Sequence, residues 1–224
     1  MPTPVITKQA AEALQLGKNG SYSNEGNVLD HTLFDSEPFQ ATTVRATTSF
    51  FTAPQNSPNA AGNNKTSIET NMSDPGKLPN GQTFLIQKMS LAIKFGMVGT
   101  ETDANTILAA YYNIIQNSVF EIKLAGREYD MQKPGTEFVS PQALAGLASA
   151  ANGAFPQGTI ISTGAVQLKA TPIPIGQLVS FSVIQRTGNA NATLLAKVNT
   201  ASDVLTTQLA ELQVRLHGVL TRAI

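Results

Sequence analysis

An all-β chain folded as an antiparallel sandwich is what this sequence predicts. Apolar and polar residues alternate at period two in several stretches, as they do in strands with one buried face. Long turn-rich segments separate those stretches, and the helical patterns are short and fall between strands. The last residues of the chain alternate again, which closes a sheet at the C-terminus.

Residues 1–41 carry little of this pattern and are expected to form an N-terminal arm. A short helix fits Lys8 to Leu16, with Thr7 as its cap and Gly17 as its stop. The polar stretch KNGSYSNEGN follows it. The remainder, 42–224, is expected to be one domain.

From Thr42 the period is two: Val44, Ala46, Thr48 and Phe50 share a face in TTVRATTSFF. Residues 53–82 then form a long polar loop. A loop beyond about 15 residues is usually functional or solvent-facing. Thr83 to Met97 is the clearest strand, with Leu85, Met89, Leu91, Ile93, Phe95 and Met97 on one face and Gln87 interrupting them. Its length suggests a bend.

Thr102 or Asp103 caps a helix through Gln116, whose apolar stripe is Ile107, Leu108, Tyr111, Ile114 and Ile115. Ser118 to Leu124 is a strand with Phe120, Ile122 and Leu124 inward, and Ala125-Gly126-Arg127 turns it into a short strand at Glu128 to Met131. Ser140-Pro141 opens an Ala-rich helix that stops near Asn152-Gly153.

Short strands are expected at Thr159 to Ile161 and Ala165 to Lys169. The two prolines of TPIPIGQ confine that stretch to a loop or a sheet edge. Leu178 to Gln185 puts Val179, Phe181 and Val183 on one face. Gln208 to Ile224 closes the chain with Leu212, Val214, Leu216, Gly218 and Leu220 on one face and Gln213, Arg215 and His217 on the other. The predicted core is Leu91, Ile93, Phe95, Phe120, Ile122, Val179, Phe181, Val183, Val214 and Leu216.

Composition narrows the function. The 224 residues suffice for a sizeable core. Charged residues are 13%, about half the usual share, and the net charge is zero. A surface of neutral polar groups suits a protein covered by copies of itself, because buried charge is costly. Without a Lys/Arg cluster, specific nucleic-acid binding is not expected. The chain has no cysteine, which excludes disulfides and thiolate chemistry. No apolar run reaches the roughly 20 residues of a membrane span. The N-terminus, MPTPVITKQAAEALQLGKN, does not match a signal peptide.

The polar arm, the strand QTFLIQKMSLAIKFG after a long loop, the helix before SVFEIKLAGREY, the proline-containing ATPIPIGQLVSFSVI and the final LQVRLHGVLTRAI together resemble a jelly-roll capsid protein of an icosahedral virus. Similar segments recur in shell proteins of the internal-membrane phages. The resemblance covers roughly residues 42–224, and the length implies a single jelly roll with short helices in its loops. It implies a major capsid protein that self-assembles, placed in the virion and assembled in the host cytoplasm. The implied partners are other copies of itself in capsomers, with other capsid proteins or an internal membrane beside them. The chain departs from small viruses that package nucleic acid on a basic arm.

No residue set reads as catalytic, cofactor-binding or metal-binding, and no cofactor or small-molecule substrate is expected. LDHTLFD puts Asp30, His31 and Asp35 together, where a base or a metal ligand is conceivable. A turn in the polar arm explains it better. His217 reads as a surface or interface group. Glu121, Glu128, Asp130 and Glu137 cluster in sequence, as glycosidase carboxylates do, but read as a solvated charge set. Asp103 is a helix cap. GKNG, PNG and NGAF are turns without the spacing of a phosphate loop. Asn19, Asn64 and Asn71 match the glycosylation pattern by chance.

The alternative function is a receptor- or glycan-binding jelly roll on a virion or cell surface, which long polar loops would serve equally well. A cupin-type enzyme needs a His-rich metal site, and two separated histidines do not supply one.

Overall fold

Three strands of thirteen residues dominate the described part of the chain, and two of them, Gln82–Lys94 and Glu211–Ala223, fall where the alternation is longest. The computed structural model describes residues 26–38, 46–94, 114–138, 160–162, 165–168, 172–188 and 211–223. The strands among them are β1 (Gly26–Pro38), β2 (Thr47–Phe50), β3 (Gln82–Lys94), β4 (Ser118–Leu124), β5 (Arg127–Pro134), β6 (Ile160–Ser162), β7 (Val166–Gln167), β8 (Ile173–Ile175), β9 (Phe181–Thr187) and β10 (Glu211–Ala223).

Among the described residues all strand pairings are antiparallel and fall into two sheets. One runs β1-β10-β3, with β6, β7 and β8 following one another along the free side of β3. The other runs β2-β9-β4-β5. The pairing is nested in chain order. β4 pairs β5, β3 pairs β6 to β8, β2 pairs β9, and β1 pairs β10. The chain therefore traces one long hairpin whose successive rungs lie in alternate sheets. Its tip is the turn at Ala125 (φ 52°) and Gly126 (φ 73°), a two-residue loop with both residues in the left-handed region, which suits the twist of the flanking strands.

One buried cluster joins the sheets. Phe84, Leu91, Ile93, Val214 and Leu216 enter it from the first sheet, and Phe50, Phe120, Ile122, Phe181 and Val183 from the second. Eight of the ten predicted core residues lie in it, the exceptions being Val179 and Phe95. Val179 is only half-buried, because the strand begins at Phe181 rather than Leu178, and Leu178 turns the chain with φ 59°. Phe95 lies outside the described residues.

The arm expectation fails over residues 26–38. That stretch pairs with β10 along its whole length, and Leu33 is in the core. Its alternation is hidden because Asp35 and Glu37 occupy the inward positions that follow Leu33. The rest of 1–41, including the helix at Lys8 to Leu16, lies outside the described residues.

A second correction concerns β3. The sequence reading places Leu85 on the face of Met89. In the structure Gln87 is an extra residue, because His217 pairs Lys88 while Gly218 pairs Ile86. A bulge of this kind shifts the phase of the strand. Phe84 and Ile86 therefore join Met89, Leu91 and Ile93 in the core cluster, and Leu85, also buried, does not.

β4 has its expected bounds, and β8, which contains Pro174, sits at a sheet edge. Residues 114–116 are helical, with Ile114 and Ile115 buried. The remainder of the 102–116 helix, Asp103 with it, and the helix opened by Ser140-Pro141 lie outside the described residues.

Candidate functional site

The sequence clusters that could carry chemistry come apart along the strands. Asp30 and His31 are neighbours in β1, so their side chains take opposite faces. His31 stands edge-on to Phe84, with ring centroids 6.4 Å apart and an 87° interplanar angle. Burial, and next Arg222, hold its imidazole below the usual pKa. Asp35 lies four residues along, roughly 13 Å at the rise of a strand. Among the described residues no group of three His, Cys, Asp or Glu side chains could hold a metal ion.

The carboxylate set divides likewise. Glu121 is buried rather than solvated, and its Oε2 lies 3.2 Å from Nε of Arg186. Glu137 is exposed and pairs at 3.1 Å with Lys133, four residues before it. The side chains of Glu128 and Asp130 lie outside what is described.

His217 has fixed partners on the outer face of the first sheet. Its Nε2 is 2.7 Å from Oγ of Ser90 on β3, and its Nδ1 is 3.1 Å from Oγ1 of Thr32 on β1. A Ser–His contact is how a hydrolase site begins. Here the third group is a hydroxyl in place of the carboxylate that orients the imidazole in a triad. Ser90 is 2% exposed in the middle of the sheet, so no substrate carbonyl reaches it. The histidine instead ties three strands together. Nearby, Gln213 donates to Ser36 Oγ at 3.1 Å and Arg215 Nε donates to Gln213 Oε1 at 2.6 Å. Burial, then Arg215 and Lys88, depress the His217 pKa.

Asn71 is engaged rather than open to modification. Its Oδ1 accepts the Phe34 amide at 2.9 Å and its Nδ2 donates to the Thr32 carbonyl at 2.8 Å, so it covers part of the free edge of β1. Asn64 is exposed, and Asn19 lies outside the described residues.

The most concentrated chemistry was not singled out in the sequence. Lys65, in the long loop, is buried with Asp35 and Glu37 of β1. Its Nζ lies 2.8 Å from Asp35 Oδ1 and 2.6 Å from Glu37 Oε1. Asp35 Oδ2 accepts the Phe51 amide at 2.6 Å, and Glu37 Oε2 accepts the Ala60 amide at 2.9 Å. Burial raises the Asp35 pKa to about 6 against the opposing pull of Lys65. The one available signal was the Asp-x-Glu spacing, which puts both acids on one face once the stretch is a strand. Nothing local marks Lys65 as their partner.

No family model matches this chain, and no curated protein matches it.

Proposed function

We propose that this chain is a jelly-roll shell protein of an icosahedral virus, which assembles with copies of itself into the capsid. The observation that carries the reading is the nested pairing: a single long hairpin whose rungs alternate between two sheets is the path of a jelly roll. The two sheets would then form a sandwich around their shared core. Viral shells, lectins and cupins all use this architecture, so the site must decide among them.

The described residues favour a structural role. Their two histidines serve as a packed ring and a strand tie, and their buried carboxylates face cations. Thr32, Ser36, Ser90 and Gln213, on the first sheet, are tied up within the chain by hydrogen bonds to His217 and to one another, and Ser36, Ser90 and Gln213 are buried. Val28, Leu29, Ile68 and Leu178 stand exposed as apolar contact points. Such points would associate by apolar burial. The proposed partners are other copies in capsomers, beside other capsid proteins or an internal membrane, and the proposed location is the virion.

Sedimentation velocity and a glycan array together test this. The reading expects a concentration-dependent shift to a large, uniform species and no glycan binding. A dispersed monomer or trimer that binds a defined glycan would instead make the chain a receptor-binding module.

A further inference from the structure

Lys65 presents a buried primary amine to two carboxylates. Nζ lies 2.8 and 2.9 Å from the two oxygens of Asp35 and 2.6 Å from Oε1 of Glu37. All three side chains are at most 4% exposed. One ammonium facing two carboxylates leaves the cluster one negative charge in excess, which is costly away from water. Phe51, whose amide faces the cluster, is fully buried with its ring 5.4 Å from that of Phe181, and the buried Thr70 side chain also bonds Asp35. Phe51 is held at φ 67°, a backbone conformation that non-glycine residues rarely adopt, and its amide points at Asp35 Oδ2 from 2.6 Å.

We propose that Lys65 and Asp35 condense in the folded chain into an intramolecular amide bond, with Glu37 carrying the protons.

The chemistry balances within the cluster. Glu37 Oε1 takes a proton from the Lys65 ammonium, which frees the Nζ lone pair, and passes that proton to Oδ1 of Asp35, whose carboxyl is then neutral. The amine attacks Cγ of Asp35, and the C–N bond forms. Negative charge develops on Oδ2, where the Phe51 amide donates to it, as a backbone donor does to an oxyanion. The bond from Cγ to Oδ1 then breaks. Of the three ammonium protons, two leave with Oδ1 as water and one stays on the amide nitrogen. Glu37 ferries the departing protons and ends as the carboxylate it began as. Neither oxidant nor reductant is required.

The site supplies what the reaction lacks in water. Burial favours the neutral carboxyl of Asp35, the form that reacts. With Asp35 raised to about 6, its neutral form is available near neutral pH. The product replaces an ion pair with a neutral amide, which burial tolerates far better. The bond would pin the long loop to β1 in a chain that has no cysteine for a disulfide.

Intact-mass measurement on the purified full chain, with a β-rich circular dichroism spectrum as the sign of folding, tests the proposal. The wild-type mass should fall one water short of the sequence mass. Fragment mapping should yield a branched peptide joining residues 35 and 65. Asp35→Asn should reach the same final mass by losing ammonia, since the amide product is identical. Lys65→Met should keep its full sequence mass, and the isosteric Glu37→Gln should remain largely uncondensed. A folded wild-type chain at full sequence mass would overturn the proposal, as would a water loss that persists in Lys65→Met.

Discussion

A β-carbon on Gly218 would stand 1.9 Å from the carbonyl oxygen of Leu85. The two residues meet where Gln87 bulges out of β3, and the bulge draws the backbones of β3 and β10 together. Only a residue without a side chain fits there. Gly218→Ala must push two central strands apart and should cost about 1–3 kcal/mol. Urea unfolding reads this as a lower midpoint, and an unchanged midpoint would show that the bulge yields freely.

How much of this fold the sequence discloses depends on what the inward positions hold. In Ser118–Leu124 those positions include Phe120, Ile122 and Leu124, and the strand is legible to its ends. In β1 they hold Leu33 and then two acids, so the same period carries no hydrophobic signal. The acids are tolerated inside because Lys65, some thirty residues along, meets them, and no local pattern shows that meeting. The β3 bulge is visible only as an interruption at Gln87, and its effect on phase needs the partner strand. His217 was legible as a polar-face residue. Its ties to Ser90 and Thr32 depend on a register that the sequence does not display.

Phe181 is the aromatic anchor of the second sheet. It is buried, packs against Phe51 and bonds through its amide to the Gly76 carbonyl at 2.7 Å. Phe181→Ala removes the ring and leaves a cavity, at a cost of roughly 3–5 kcal/mol. Chemical denaturation measures it. A loss below 1 kcal/mol, on the order of an exposed substitution, would place Phe181 outside the core.

His217 should make stability depend on acid. Burial, followed by Arg215 and Lys88, lowers its folded pKa, while the hydroxyls of Thr32 and Ser90 hold its nitrogens. The unfolded imidazole therefore binds protons that the folded one refuses. Its contribution is fully present above about 6.5 and is lost as pH falls through the lower folded value. His217→Gln should flatten this part of the profile. Thermal midpoints of both chains between acid and neutral pH test it, and parallel profiles would contradict it.

Assembly should survive salt. Charged residues are 13% of the chain with zero net charge, and exposed ion pairs contribute only about 0–1 kcal/mol each. Apolar contact contributes roughly 25 cal/mol per Å² before the entropy of association is subtracted. Light scattering should hold steady through roughly 0.5 M NaCl, where the screening length is about 4 Å, and fall in chaotropes. Dissociation in NaCl alone would show that charge pairs hold the interface.

Electron microscopy of the purified recombinant protein tests the shell reading most directly. Nested strands and scarce charge lead to one expectation: closed particles of uniform size, formed by this chain with no added nucleic acid. Dispersed single molecules at every concentration, in a preparation with a β-rich spectrum, would contradict it.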